Sequence, residues 1–263
     1  MRTLWEVAKL AIQRQLTYRA AALAGLVTNF FFGLLRAAIL VALFGANREV
    51  AGLTIQGAIT YTGLTQAVIG YMSFFGWYEV MDSVYSGEIA SALLKPMSYF
   101  SFWLAQDLGR ALVNFVLRGL SIMGLYALVF DITIPSQNSQ WLAVLAAIIL
   151  GWLVSFSWRF LVNLAAFWTP NARGVGRFAF GLSLVLSGFI MPLRLFPEWF
   201  VRLCNLTPFP SMINTVVEIY LGVLDSHAVM KALLIQSFWV ILLVAAAHVV
   251  LQAGTRRLVI QGG

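Results

Sequence analysis

Six stretches of this chain are apolar over lengths that suit a lipid bilayer better than a protein core. They cover residues 20–44, 57–78, 102–130, 141–168, 178–192 and 233–251. A hydrocarbon core about 30 Å thick needs about 20 apolar residues per helical crossing. Hydrocarbon offers no partner for an open backbone N–H or C=O, so segments of this kind cross as helices. The expected fold is an all-α integral membrane protein with six transmembrane helices. Residues 1–263 then read as a single transmembrane domain, with loops too modest to hold a soluble one. The fifth stretch is the shortest and the richest in glycine.

The composition agrees. Residues are 61% hydrophobic and only 10% charged, with a mean hydropathy of +0.87. A soluble domain carries about 25% charged residues. The net charge of +7 does not point to nucleic acid, because the basic residues gather at the ends of apolar runs, where topology places them. Arg2, Lys9, Arg14, Arg19, Lys95, Arg159, Arg173, Arg177, Arg256 and Arg257 fall on one side, and Arg48, Arg194 and Arg202 on the other. The heavier side is the cytosolic one, which puts both termini in the cytosol of a multi-pass protein of the bacterial inner membrane. The N-terminal residues have no apolar core or small-residue cleavage site of a secretory signal. One cysteine, Cys204, rules out an internal disulfide and reads as a small apolar filler.

Residues 1–19 read as an amphipathic surface helix. Leu4, Trp5, Ala8, Ile12 and Leu16 form its apolar stripe, and Arg2, Lys9 and Arg14 can reach lipid phosphates. Residues 191–225 hold four of the seven prolines and are too interrupted to span, yet too apolar for a solvated loop. Short helices dipping into the outer leaflet are expected there. Residues 86–100 lie between the second and third stretches and are too charged to cross. On one helix, Glu88, Ser91 and Lys95 share a face, and Ile89, Leu93, Leu94 and Met97 the opposite one. Such a helix at a cytosolic surface offers a handle by which a partner could move the attached spans.

No catalytic site is legible. No phosphate-binding loop occurs, and the three lysines follow no glycine-rich turn. His227 and His248 have no metal-ligand spacing. Polar residues inside spans carry more information, because lipid penalises them. In the third stretch Asp107, Arg110, Asn114, Arg118 and Ser121 fall within about 80° of one helix face at 100° per residue, and Asp107 and Arg110 can pair. This face suits either a substrate path or a helix seam. Gly25, Asn29, Gly33 and Arg36 share a face in the first stretch, where small residues allow close approach. Thr62, Gln66 and Ser73 do so in the second, and Ser183 and Ser187 in the fifth.

Together these features resemble the membrane subunit of an ATP-binding-cassette exporter of the type-2 permease family. The resemblance is carried by Gly87, Glu88 and Ile89 followed by Leu93, Leu94, Lys95 and Pro96, and by Ser187, Gly188, Phe189, Ile190, Met191 and Pro192. It continues through Phe196, Pro197, Glu198, Trp199, Pro208 and Phe209 and ends with Gln261, Gly262 and Gly263. It implies an N-terminal interfacial helix, a coupling helix between spans two and three, and re-entrant helices before span six. It further implies a path between two permease copies, identical or related, above two separate nucleotide-binding ATPase subunits. No cofactor is then expected on this chain, since ATP and Mg belong to those ATPases. Residues 86–100 would dock on them. Spans one, two and five line the path in relatives, which favours Thr62, Gln66, Ser73, Ser183 and Ser187 over the stripe of the third span. The competing readings are a six-span scaffold or assembly protein without transport, an intramembrane enzyme acting on lipids, and an ion-driven carrier. Drug, lipid, glycan and peptide cargo all stay open.

Overall fold

The computed structural model describes residues 2–17, 19–73 and 76–257. The N-terminal helix α1 (Arg2–Thr17) leads into α2 (Arg19–Phe44). A two-residue hairpin follows, with β1 (Glu49–Val50) antiparallel to β2 (Leu53–Thr54). Thr54 caps the next helix, α3 (Ile55–Met72), its hydroxyl accepting the Gly57 N–H at 3.0 Å. Two short helices, α4 (Glu79–Tyr85) and α5 (Glu88–Leu93), precede α6 (Tyr99–Asn114), which is capped by Ser98. A π-helical segment, Phe115–Leu120, joins α6 to α7 (Ser121–Val129). Then come α8 (Asn138–Asn163), α9 (Ala172–Leu186), α10 (Glu198–Asn205), α11 (Asn214–Leu221) and α12 (Ser226–Thr255).

Four segments are long and apolar enough to cross a membrane: Ala22–Phe44, Tyr99–Val129, Asn138–Phe167 and Ser226–Thr255. The second and fifth expected spans look different. Helix α3 stops at Met72 rather than at 78, where Ser73 turns left-handed (φ 51°). It mixes Thr, Gln and Tyr with its apolar residues, and almost every side chain from Gly57 to Met72 is buried. A helix enclosed by α2, α6, α7, α8 and α11 meets protein rather than lipid, so polarity is tolerated there. Helix α9 starts six residues earlier than 178 and ends at Leu186, which leaves residues 188–192 to a turn at Gly188 (φ 80°).

The basic residues sort onto two ends of the bundle. Near one end Arg14 lines a cavity with Glu79 and Trp103, Arg173 pairs with Asp82, and Arg257 lies over Trp168. At the other end Arg194 bonds the Ala51 carbonyl and pairs with Glu218 at 3.0 Å. One assignment needs correction. Arg159, counted above with the basic residues of the cytosolic side, is 1% exposed and lies inside the bundle. The residues 191–225 do form the expected short helices, α10 and α11, separated by Pro-rich turns. Cys204 is buried among them as an apolar side chain. Gln261, Gly262 and Gly263 lie outside the described residues.

Candidate functional site

The segment 86–100 is not one helix. Gly87 sits at φ 77°, a left-handed conformation that favours glycine, and it separates α4 from α5. Helix α5 lasts six residues before a turn through Lys95 and Pro96 brings the chain to Ser98. The expected apolar face therefore divides. Ile89 is fully buried against Trp77, Tyr99, Phe100 and Phe160, whereas Leu93 is partly exposed and Leu94 is 87% exposed. Gly87, Glu88, Ser91, Lys95 and Pro96 are exposed, as a docking surface requires.

This exposed turn is tied firmly to the bundle behind it. The Ser83 hydroxyl bonds the Tyr99 hydroxyl at 2.5 Å, and the Met81 N–H donates to Asn163 Oδ1 at 3.1 Å. The Tyr85 hydroxyl donates to the Thr169 carbonyl and accepts the Ala172 N–H, both at 2.9 Å, and Arg173 pairs with Asp82 at 2.6 Å. Displacing α4 and α5 thus pulls on the α8–α9 connection as well as on α3 and α6.

Inside the bundle Asp107 holds two arginines. Its Oδ1 accepts from Arg110 Nε (3.0 Å), Arg110 Nη2 (2.7 Å) and Arg159 Nη1 (3.1 Å). Its Oδ2 accepts from Arg159 Nη2 (2.9 Å) and the Trp152 indole (2.8 Å). Arg110 also donates to the Tyr71 carbonyl, and Asn163 donates to the Arg159 and Trp77 carbonyls. The expected Asp107–Arg110 pair is present, and a second, more deeply buried partner, Arg159, comes from α8. Two guanidiniums against one carboxylate leave this group with one net positive charge.

The polar stripe of the third span does not run straight. The π segment adds a residue to the turn, so the 100° spacing fails beyond Asn114. Asn114 is buried, bonding the Arg110 carbonyl and Gln15. Arg118 instead turns towards α2 and α3: a Cβ on Gly25 would lie 2.6 Å from its guanidinium carbon. Tyr126 fills the next gap, where a Cβ on Gly63 would lie 2.8 Å from its ring and one on Gly33 would overlap its hydroxyl. The small residues of α2 therefore admit side chains from the third span, with half-buried Asn29 between them. Arg36 donates to the Phe189 and Ile190 carbonyls and lies 4.5 Å from the Phe189 ring centroid, joining α2 to the turn after α9.

The other predicted polar residues are placed as follows. Thr62 is buried and bonds the Ile59 carbonyl and Tyr126. Gln66 is buried beside Gly33, and Ser73 ends α3. Ser183 donates to the Ala179 carbonyl and accepts the Trp158 indole N–H; Ser187 donates to the Leu184 carbonyl. Among the described residues no group of His, Cys, Asp and Glu could hold a metal ion.

A family model described as ABC-2 family transporter protein matches residues 30–262, nearly the whole chain. The chain belongs to the ABC-2 transporter family. No curated protein and no solved structure matches it. In this chain the exposed turn Gly87–Pro96 and the buried Asp107 group are linked through Met81, Asn163 and Arg159. The sequence reading missed Arg159 and Trp152 as partners. One signal was available: Ser155, Arg159 and Asn163 recur at i, i+4, i+8 along α8, which places three polar side chains on one face of an apolar helix.

Proposed function

We propose that this ABC-2 permease is the membrane subunit of an ATP-driven exporter, with ATP and Mg bound by separate ATPase subunits. The observation that carries the proposal is the family match over residues 30–262. The exposed Gly87–Pro96 turn supplies a docking surface for an ATPase. Glu88 and Lys95 are its polar contacts, with Leu93 and Leu94 as apolar anchors and Ile89 as the root in the bundle. The six-span arrangement follows if α3 and α9 cross inside the protein shell rather than against lipid, with α10 and α11 re-entering from the outer side. The distribution of basic residues supports cytosolic termini, and the proposed membrane is the bacterial inner one.

The path is assigned to the interface of two copies. Leu23, Val27, Phe31, Leu35, Ile39 and Leu43 form an exposed stripe at four-residue spacing along α2, and α9 exposes Val175, Phe178, Leu182 and Val185. A second permease covers these faces in the proposed dimer. Thr62, Gln66, Ser73, Ser183 and Ser187 then back onto the path from α3 and α9, and a shift of Arg36 from the Phe189 and Ile190 carbonyls accompanies its opening. ATP-driven closure of the ATPases would reach the path through α4, Tyr85 and Arg173. Only states that bind ATP with different affinity can be driven in this way.

The test is co-purification from native membranes in mild detergent, with the parent chain and Glu88→Ala/Lys95→Ala. The parent should carry a stoichiometric soluble subunit with a phosphate-binding loop. The double variant should insert normally but lose that subunit or its transport-coupled ATP hydrolysis. If no ATPase accompanies the parent even after cross-linking at Glu88, the scaffold reading replaces this one.

A further inference from the structure

A cavity of about 170 Å³ lies between α1 and α6, lined by Arg14, Trp77, Glu79, Trp103, Gln106 and Arg110, with Asp107 at its back. Its outer wall exists because α1 packs against α6 at Gly109. Any side chain on Gly109 would run into the Ala8 carbonyl and the Ala11 methyl. Gln15 reaches Asn114 on the same side. The wall is thus built by a docked amphipathic helix whose Trp5 and Leu16 stay exposed on one apolar flank. Such a helix belongs at the headgroup boundary of a membrane.

The chemistry of the cavity is divided. Its back is the Asp107 group, which carries one net positive charge that Glu79 offsets in part, and Arg14 adds a second at the mouth. Opposite them stand two acceptors. Glu79 is exposed at the rim, and Gln106 Oε1 is buried without a hydrogen-bond partner among the described residues. A buried acceptor of this kind is normally satisfied. The space equals that of about six water molecules, taking about 30 Å³ each, which admits a small charged group. The rings of Trp77 and Trp103 line the sides, offering apolar faces to the glycerol end of an amphiphile and, from Trp103, a buried indole N–H.

We propose that this cavity binds the phosphodiester headgroup of a membrane phospholipid, with the phosphate facing Arg14 and Arg110 and a primary ammonium facing Glu79 and Gln106. A guanidinium binds a phosphate through charge-assisted, often paired hydrogen bonds. The bound lipid would pin α1 to α6 and to the start of α4. The site is independent of whether the protein exports anything.

The experiment is native mass spectrometry of the full-length protein, purified in mild detergent after reconstitution in vesicles of phosphatidylethanolamine or of phosphatidylglycerol. The parent should retain one phosphatidylethanolamine per chain. Arg14→Gln should lower that occupancy about tenfold, as expected for loss of one charged hydrogen bond, and Gln106→Leu should lower it by removing the buried acceptor at nearly constant side-chain size. Arg14 is exposed, so its replacement leaves the fold intact, which size-exclusion chromatography verifies. Glu79→Gln should weaken retention of phosphatidylethanolamine while leaving phosphatidylglycerol unchanged. Equal lipid retention by the parent and Arg14→Gln overturns the proposal. Displacement of the lipid by millimolar inorganic phosphate also overturns it, since the cavity would then be a site for the free anion.

Discussion

Replacing Asp107 by asparagine keeps the shape of the side chain and removes its charge, and the bundle should respond strongly. Asp107 is fully buried, and its partner Arg159 exposes 2% of its side chain. Five donors from Arg110, Arg159 and Trp152 converge on the carboxylate. In Asp107→Asn two guanidiniums remain without a counter-charge, and the new amide N–H₂ points a donor at one of them. Breaking a buried pair from one side costs about 3–5 kcal/mol. At about 2–4 °C per kcal/mol for a chain of this size, the unfolding midpoint should fall by roughly 6–20 °C. Tryptophan fluorescence during heating of detergent-solubilised protein reads this directly, since Trp152 touches the carboxylate. Arg159→Met alone should fall less, because Asp107 keeps Arg110, which is partly exposed and can reach water. Asp107→Leu/Arg159→Met should recover much of the loss, since that pair of changes leaves no fully buried charge. A midpoint for Asp107→Asn within about 2 °C of the parent, under 1 kcal/mol by the same conversion, would show that Arg159 is solvated or neutralised some other way, and the reasoning would fail.

Two further outcomes follow from close packing. Gly109→Val should push α1 off α6, because the new side chain meets the Ala8 carbonyl; overpacking of this kind costs about 1–3 kcal/mol and should raise the thiol-labelling rate of a cysteine introduced at Ala8, which is buried in the parent. Tyr126→Phe loses one 3.2 Å hydrogen bond to Thr62 and should cost about 0.5–1.5 kcal/mol, whereas Tyr126→Ala empties the slot between Gly33 and Gly63 and should cost about 3–5 kcal/mol, a difference visible in thermal melts.

Hydropathy alone located three of the four long helices to within three residues and the core of the last, which starts seven residues before 233 and ends four after 251, since each is apolar around most of its circumference. It served less well for α3, whose polarity reflects enclosure by other helices; a window of residues carries no record of what surrounds it. Glycine in residues 86–100 was read as part of a helix, yet Gly87 turns left-handed and frees Leu94 to point outwards. The polar stripe of the third span was legible up to Asn114 and misleading afterwards, because a π segment has no distinct composition. Asp107 and Arg110 could be paired from their spacing, but Arg159 is 52 residues away, and only tertiary packing brings it to the same carboxylate. Glu88 and Lys95 are both exposed, but Lys95 lies in the turn after α5 rather than on one helix with Glu88. The cavity beside α1 was not expected, because it depends on Gly109 allowing two helices to touch.

The π segment of the third span has a rotational consequence. An α-helix advances 100° per residue, and a π turn takes up one residue more than an α turn. Rewinding Phe115–Leu120 as α-helix would therefore rotate α7 about 100° relative to α6 while neither end needs to shift far along the bilayer normal. Tyr126 would then swing out of the slot that Gly33 and Gly63 leave open, and Arg118 would leave Gly25. The upper half of this span is keyed to α2 and α3, and the lower half is clamped by Asp107 to α8. The wound turn between them is the one stretch of the span whose rewinding would turn one half against the other, and such a turn would have to draw the tyrosine from its slot.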